Sequence, residues 1–187
     1  MSGFVSRFAP FGIGLLLVAG IVHLAIVLLM PFVTSSNAAL RLASGASLHA
    51  MEQLQPVADG GETLPFPFAD PALITAVCRF DLAEGPVSLK IPTGDSFLSV
   101  AVLTPTGRVA VALTDRAATR RLLDIVLVTA AQQRQLESQD PDDEPVQELR
   151  LRLGNPKGMV VVRSLALREA EKQTISAQLG RATCQQE

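Results

Sequence analysis

The longest apolar stretch lies near the start of the chain, where residues 11–33 contain no Asp, Glu, Lys or Arg. A helix rises about 1.5 Å per residue, so this stretch would extend about 35 Å and cross a hydrocarbon core of roughly 30 Å. A cleaved secretory signal has a shorter apolar region, of roughly 7–15 residues, and Ser36-Asn37-Ala38 is a poor cleavage site. We therefore expect an uncleaved transmembrane helix over residues 11–33, with a cleaved signal as the alternative.

The residues that follow show two different patterns. Apolar residues recur near a period of 3.6 over residues 37–54, which favours a helix. Residues 55–71 are rich in Pro and Gly, which excludes a regular helix or a central strand. We therefore interpret residues 34–71 as a helical neck followed by a linker.

From residue 72 onward the period changes to two. Seven strands are predicted, at residues 72–80, 87–91, 97–104, 108–114, 122–129, 146–153 and 159–167. Short Gly and Pro turns join the first four, which is typical of an antiparallel meander with one solvated face. Asp115 is the predicted N-cap of a short helix through Arg121, and residues 168–182 have helical composition. The prediction is an α+β fold, in which a single N-terminal transmembrane helix precedes a mainly antiparallel β-sheet domain, residues 72–187, with a C-terminal helix.

Composition narrows the classes of function. The chain has 16 Lys and Arg against 18 Asp and Glu, which argues against a nucleic-acid binder because such a protein needs a basic patch. His23 lies in the apolar stretch and His49 in the predicted neck, so we expect no His beside a nucleophile in the β-rich domain. The Cys and His spacing fits no zinc finger, and no glycine-rich phosphate loop follows a strand. We therefore predict no catalytic residue, no metal and no cofactor.

Carboxylates offer two weak candidates for chemistry. Asp81 and Asp115 could in principle form a glycoside-hydrolysing pair, but a turn residue and an N-cap are the preferred interpretations. Residues 137–148 contain six carboxylates and no Lys or Arg. A calcium site is one interpretation of this acidic stretch, and a solvated, mobile loop is the preferred one.

Three arginines follow Asp115 closely, at Arg116, Arg120 and Arg121. On the predicted helix Arg116 and Arg120 share a face at i, i+4, where they would hold an anion or an acidic partner loop. The alternative is an ordinary solvated face.

The few charges around the apolar stretch predict its orientation. Arg7 precedes it, and Arg41 is the only Lys or Arg between it and Arg79. This small bias places residues 1–10 in the cytoplasm and the β-rich domain in the periplasm.

His23 would lie close to the middle of the bilayer, where an ionisable residue indicates a function. Ala19 and Gly20 lie one turn before it, so another helix could approach closely and accept its N–H. We expect these three residues to form an intramembrane helix contact. A proton or metal role, and a histidine that no partner helix satisfies, remain open.

The two cysteines link location to fold. An exterior compartment is oxidising, so Cys78 and Cys184 are most simply one disulfide. Such a bond would hold the end of the C-terminal helix against the first strand. The alternative is a buried apolar Cys78 and a free thiol at Cys184.

Several short motifs are similar to those of a known family. They are Gly20-Ile21-Val22-His23, Asp70-Pro71, Ala76-Val77-Cys78-Arg79-Phe80-Asp81-Leu82, Gly85-Pro86-Val87, Phe97-Leu98-Ser99-Val100 and Leu113-Thr114-Asp115-Arg116-Ala117-Ala118. On these motifs most of the chain resembles the short, single-pass proteobacterial form of the family called domain of unknown function 1254. Larger members often have Tyr near the position of Ile74, so chemistry that uses such a Tyr is not expected here.

The resemblance implies a protein of the bacterial inner membrane. It also implies a partner, a second small membrane protein that carries the sister domain, number 1214, and it assigns no reaction. The leading hypothesis is a non-enzymatic accessory or structural subunit that binds another membrane protein. A periplasmic binding module for a small lipid or glycan is the alternative, and an enzyme of unrecognised chemistry is the third hypothesis.

Overall fold

The N-terminal apolar stretch is a helix. The computed structural model describes residues 11–31, 46–54, 70–140 and 148–187. Helix α1 covers Phe11–Pro31 and has a mean hydropathy of 2.8. It is long and apolar enough to cross a membrane, a property that a signal sequence shares. The predicted apolar helix is therefore confirmed over these 21 residues, and residues 32–33 and 1–10 lie outside the described part of the chain.

The remaining described residues form two sheets and two further helices. The larger sheet contains, in spatial order, β1 (Glu52–Leu54), β2 (Leu73–Asp81), β8 (Lys157–Leu165), β4 (Leu98–Leu103) and β5 (Val109–Thr114). The smaller sheet contains β7 (Leu149–Arg152), β6 (Leu122–Val128), β3 (Val87–Pro92) and β9 (Thr183–Gln186). The helices are α2 (Ala130–Glu137) and α3 (Glu169–Leu179). The predicted α+β fold, mainly antiparallel and with a C-terminal helix, is confirmed.

Alternating side chains of the two sheets build one core. On β3 the side chains of Val87, Leu89 and Ile91 are buried, while Lys90 between them is exposed. β4 repeats this alternation with Leu98, Val100 and Val102. A strand that is apolar on one face must bury that face, and here the two sheets bury their inner faces against each other.

The predicted meander is wrong in its connectivity. Of the four described strands that were predicted to form the meander, β2 to β5, only β4 and β5 pair with each other. β2 pairs with β8, and β3 pairs with β6 and β9, so the chain changes sheet after β2 and again after β3. The domain is therefore a sandwich of two sheets, and not the single sheet with one solvated face that was predicted.

The described end of the predicted neck is a strand, not a helix. Glu52–Leu54 forms β1, which pairs with β2 in antiparallel register, and Leu48 bridges to Arg79. Apolar residues of this segment pack on the outer face of the larger sheet, so their spacing reflects burial against strands. The β-rich domain therefore begins before residue 72. The rest of the predicted neck and linker, residues 34–45 and 55–69, lies outside the described part.

The sequence patterns predicted neither α2 nor β9. Thr129 begins α2 with a capping box, in which its Oγ1 accepts from Gln132 N at 3.3 Å and Gln132 Oε1 accepts from Thr129 N at 2.9 Å. This Thr-x-x-Gln pattern is the signal that would have found the helix. Because α2 crosses over between β6 and β7, those two strands pair in parallel.

Helix α3 packs against both sheets. Its Ile175 and Leu179 are buried in the core, and it contacts β2 and β3. Ser176 Oγ donates to Gln53 Oε1 of β1 at 2.8 Å. Gln178 Nε2 donates to the Pro92 carbonyl at the end of β3 at 2.8 Å. The predicted helix is therefore present, and it closes one side of the sandwich.

Candidate functional site

Cys78 and Cys184 form a disulfide inside the core. Both residues are almost fully buried, and their Cα atoms are 6.5 Å apart. The pairing is as predicted, but the elements that it joins are not. Cys184 lies on β9 opposite Leu89 of β3, so the bond connects the two sheets rather than a helix and a strand. Its burial indicates a structural bond.

The predicted arginine helix is absent. Only Asp115–Ala117 form a short 3₁₀ turn after β5. Arg120 and Arg121 have φ of 51° and 62°, in the left-handed region that residues other than glycine seldom adopt. Arg116 and Arg120 therefore do not share a helix face. Arg121 instead pairs with Asp95 at 2.8 Å, and both side chains are largely exposed.

Asp115 is not the N-cap that the sequence predicted. The residue before the turn is Thr114, and Asp115 Oδ1 accepts a hydrogen bond from Leu98 N at 3.3 Å. This contact attaches the end of β5 to the start of β4. A carboxylate at this position thus fixes the loop that carries the three arginines.

Two exposed apolar side chains lie at the same end of the sandwich as the arginines. Phe97 precedes β4 and is 52% exposed, and Leu167 follows β8 and is 79% exposed. The two strands meet here, since Leu165 N donates to the Phe97 carbonyl at 3.0 Å. Thr93 N also donates to the Arg121 carbonyl at 2.9 Å, so the loop that carries the arginines lies beside the segment that leads to Phe97. We define the arginine end as Phe97, Leu167, Arg116, Arg120 and Arg121.

His49 and Asp81 meet at the opposite end of the sandwich. His49 Nε2 lies 3.1 Å from Asp81 N and 3.2 Å from the Asp81 carbonyl oxygen. In the tautomer with no hydrogen on Nε2, this atom accepts from the amide, and in the other tautomer it donates to the carbonyl. The prediction that His49 lies in a helical neck, outside the β-rich domain, is therefore wrong. Its hydrogen bond holds the segment before β1 against the end of β2.

Asp81 behaves as the turn residue that the sequence predicted. Its Oδ1 accepts from Ala83 N at 3.0 Å, and its Oδ2 pairs with Lys157 Nζ at 2.9 Å. The hydrogen bond from Lys157, followed by that from Ala83, lowers the pKa of the Asp81 carboxyl below its usual value.

Asp81 and Asp115 are too far apart to act on one glycosidic bond. Asp81 pairs with Lys157 at one end of β8, whereas Asp115 contacts Leu98, which pairs with Ser164 near the other end. Seven residues of strand at roughly 3.3 Å each separate these ends by about 23 Å. A hydrolysing pair needs carboxyl groups within about 10 Å, so this candidate is excluded.

One arginine binds two carboxylates of the acidic stretch, Asp140 and Glu148. Arg150 on β7 donates from Nη1 and Nη2 to both oxygens of Asp140, at 2.6 and 2.7 Å, and from Nε to Glu148 at 2.8 Å. These contacts lower the pKa of Asp140 and raise that of Arg150. Within the described residues no three His, Cys, Asp or Glu converge on a possible metal position. The mobile loop was predicted over residues 137–148; Glu137 ends α2, and residues 141–147 lie outside the described part.

His23, Ala19 and Gly20 lie on one face of α1. Their spacing of three and four residues places them one helical turn apart. All three are exposed, and a Cβ built at Gly20 would meet no atom within 4 Å. The face is thus open to a second helix, and the intramembrane contact stays a prediction.

A small apolar cavity opens beside the β4–β5 hairpin. Its volume is about 210 Å³, and Phe80, Val102, Leu153 and Ala110 are among its lining residues. Lys157, which pairs with Asp81, also borders it. Small-molecule sites usually enclose about 300–1,000 Å³, so this cavity would hold only a small group.

These features define a disulfide-linked β-sandwich that follows an apolar N-terminal helix in the sequence. The chain belongs to the family described as protein of unknown function (DUF1254), whose model matches residues 65–183. The family suggested by the motifs is therefore confirmed. No curated protein matches the chain.

Two solved structures show similarity to the chain. The crystal structure of the VPA0106 protein from Vibrio parahaemolyticus matches 81% of this chain and 35% of its own, with a TM-score of 0.54 and 10% identity. An uncharacterised protein from Burkholderia cenocepacia matches 74% of this chain and 37% of its own, with a TM-score of 0.44 and 14% identity. The chain thus spans about a third of the length of each. The first similarity supports the fold alone.

Proposed function

We propose that the protein is a non-enzymatic subunit anchored in the bacterial inner membrane that binds a second envelope protein. The observation that carries this proposal is the arginine end, where Phe97 and Leu167 are exposed beside three exposed arginines. Aromatic and arginine side chains are enriched where proteins bind each other, because they combine large apolar area with hydrogen bonds. The proposed partner is a small membrane protein that carries the sister domain, number 1214.

The proposed location follows from two independent features. Helix α1 supplies an anchor of sufficient length, and the Cys78–Cys184 bond is stable in an oxidising compartment such as the periplasm. The charge bias around α1 favours a cytoplasmic N-terminus and a periplasmic sandwich. A reporter that is active only in the periplasm, fused after Glu187, should be active; an inactive fusion would reverse the orientation.

The partner proposal is tested with the purified full chain and a purified sister-domain protein in mild detergent. Phe97→Ala should raise the dissociation constant roughly tenfold or more, since it removes a central apolar contact. Leu48→Ala is the matched control, because Leu48 is also 52% exposed but lies near the opposite end, beside Arg79. Absence of binding by the unaltered chain, or an equal loss with both variants, contradicts the proposal.

The predicted contact along α1 belongs to the same proposal. His23→Leu should weaken co-purification with the partner while leaving the sandwich folded, because it removes the N–H that a second helix would accept. Ile21→Leu is the control, because Ile21 lies outside the helix face that Ala19, Gly20 and His23 share. Unchanged co-purification of the His23 variant would count against a role for this face.

A second candidate function rests on the cavity beside the β4–β5 hairpin. Its apolar lining and the Lys157 ammonium group at its border suit a small carboxylate with a short apolar tail. Thermal unfolding with short-chain fatty acids should then show a rise in midpoint that Ala110→Trp, which fills the cavity, removes. No rise with the unaltered chain would eliminate this candidate.

A further inference from the structure

The outer edge of β5 is an unpaired and uncharged strand. β5 pairs with β4 on one side, and among the described residues no strand pairs with its other side. Its sequence is Val-Ala-Val-Ala-Leu-Thr. Val109 is 61% exposed, and Ala110 and Ala112 are also exposed. Monomeric proteins usually protect such an edge with lysine, proline or a covering element, because it accepts strands from other chains.

We propose that this edge is a homodimer interface, in which β5 of one copy pairs with β5 of a second copy in antiparallel register. The larger sheets of the two copies would then continue across the interface. An isologous contact must be complementary to itself, and an uncharged strand of small and β-branched residues satisfies this requirement.

The charges at the ends of β5 support a second copy as the occupant. Arg108 precedes the strand and Asp115 follows it. Antiparallel pairing brings the start of each strand beside the end of the other, so the backbone of Arg108 lies nearer to Asp115 of the second copy than to its Arg108, while Asp115 keeps its hydrogen bond to Leu98 N. Parallel pairing would instead bring like charges together, which is unfavourable.

Symmetry and charge also select a register. Facing residues of antiparallel strands point to the same face of a sheet, so a two-fold axis normal to the sheet must pass through a residue and not between two residues. The two central residues of β5 are Val111 and Ala112. An axis through Ala112 would place Arg108 opposite Arg116 of the second copy. An axis through Val111 places Arg108 opposite Thr114 and Ala110 opposite Ala112, and it avoids the contact between like charges.

The register makes a specific cross-linking prediction. In the full chain, Val111→Cys should form an interchain disulfide under oxidising conditions, because paired strands hold facing Cα atoms about 4.5–5.5 Å apart, within the range for a disulfide. Thr106→Cys, in the exposed β4–β5 turn, is the control and should form far less dimer. Equal cross-linking of both variants overturns the register and the interface.

A measurement of mass tests the dimer without cysteine. The unaltered full chain in detergent should sediment as a dimer, and Ala112→Lys should raise the dimer dissociation constant by roughly tenfold or more because it introduces two lysines close to the axis. Gln135→Lys, on an exposed position of α2, is the charge-matched control and should remain dimeric. A monomeric unaltered chain, or a dimer that Ala112→Lys leaves intact, overturns the proposal. The second result would assign dimerisation to another surface, such as α1.

Discussion

The two edges of the larger sheet are stabilised to very different extents. At the β1–β2 side, α3 covers the core with Ile175 and Leu179, Ser176 contacts Gln53 of β1, and the buried disulfide joins β2 to the opposite sheet. At the β5 side no described element covers the strand, and Val109 is mostly exposed. We call these the closed edge and the open edge.

This difference separates stability from binding. Cooperative stability comes from buried apolar contacts and from cross-links, and both are concentrated at the closed edge. Changes at the open edge should therefore alter association more than folding. An edge strand with few internal contacts also has the lowest local stability, which suits a surface that accepts a second chain.

The largest effect should follow loss of the cross-link at the closed edge. Cys78→Ala combined with Cys184→Ala opens a loop whose ends are 106 residues apart. The chain-entropy model gives up to about 4.7 kcal/mol for a loop of about 100 residues, so the free energy of unfolding should fall by several kcal/mol. Because the chain has no Trp or Tyr, urea unfolding is best followed by far-ultraviolet circular dichroism. An unchanged midpoint would contradict the cross-linked closed edge.

A pair of truncations compares the two edges directly. Ile175→Ala removes a buried side chain at the closed edge and should lower the free energy of unfolding by about 2–5 kcal/mol. Val109→Ala removes exposed atoms at the open edge and should change it by less than about 0.5 kcal/mol in the monomeric Ala112→Lys background. Similar losses from the two variants would show that the edges do not differ as described.

The helix that connects β6 to β7 should have an intermediate effect. Thr129→Ala removes the hydroxyl that accepts from Gln132 N and should cost about 1 kcal/mol of unfolding free energy. Thr129→Ser keeps a hydroxyl at this position and should restore most of the loss. If serine and alanine are equally destabilising, the capping hydrogen bond does not stabilise α2.

The smallest predicted effect is on the stability of the folded chain at low pH. Arg150 lowers the pKa of Asp140 in the folded chain, so this pair contributes stability above the unfolded pKa of about 3.9 and loses it as pH falls through the lower folded value. Urea midpoints should therefore decrease as the pH is lowered from about 5 to about 3. Asp140→Asn should make that decrease shallower, and an unchanged slope would indicate that the Arg150 contacts contribute nothing.

Local patterns predicted the elements well and their partners poorly. Period-two alternation found β2 to β8 because it depends only on neighbouring residues. The assignment of β2 and β3 to different sheets depends on β8 and β9, which lie far along the chain, so no local signal could supply it. The disulfide was predictable from the expected compartment, whereas the elements that it joins were not, because β9 has only four residues.

The candidate site was predictable by composition but not by geometry. The arginines were identified, yet the helix expected for them was wrong because Arg120 and Arg121 adopt a left-handed backbone that their residue type does not indicate. Phe97 was predicted to be the first residue of a strand over residues 97–104, and it is exposed because β4 begins one residue later, at Leu98. For β1, three residues next to a Pro-rich segment were too short a pattern to distinguish a strand from a helix.

The position of Cys184 has a consequence for biosynthesis. Its bond to Cys78 cannot form until Cys184 has been synthesised and β9 has reached β3. Until then β2 also lacks β8, its main hydrogen-bonding partner, so apolar strands from the first half of the domain stay unpaired while the chain is made. Domains with such long-range pairing fold slowly and expose aggregation-prone segments meanwhile. Correct maturation should therefore depend on chaperones that bind the unpaired strands and on oxidation late in folding. Deletion of the last four residues, which include Cys184, should give a chain that never forms the disulfide.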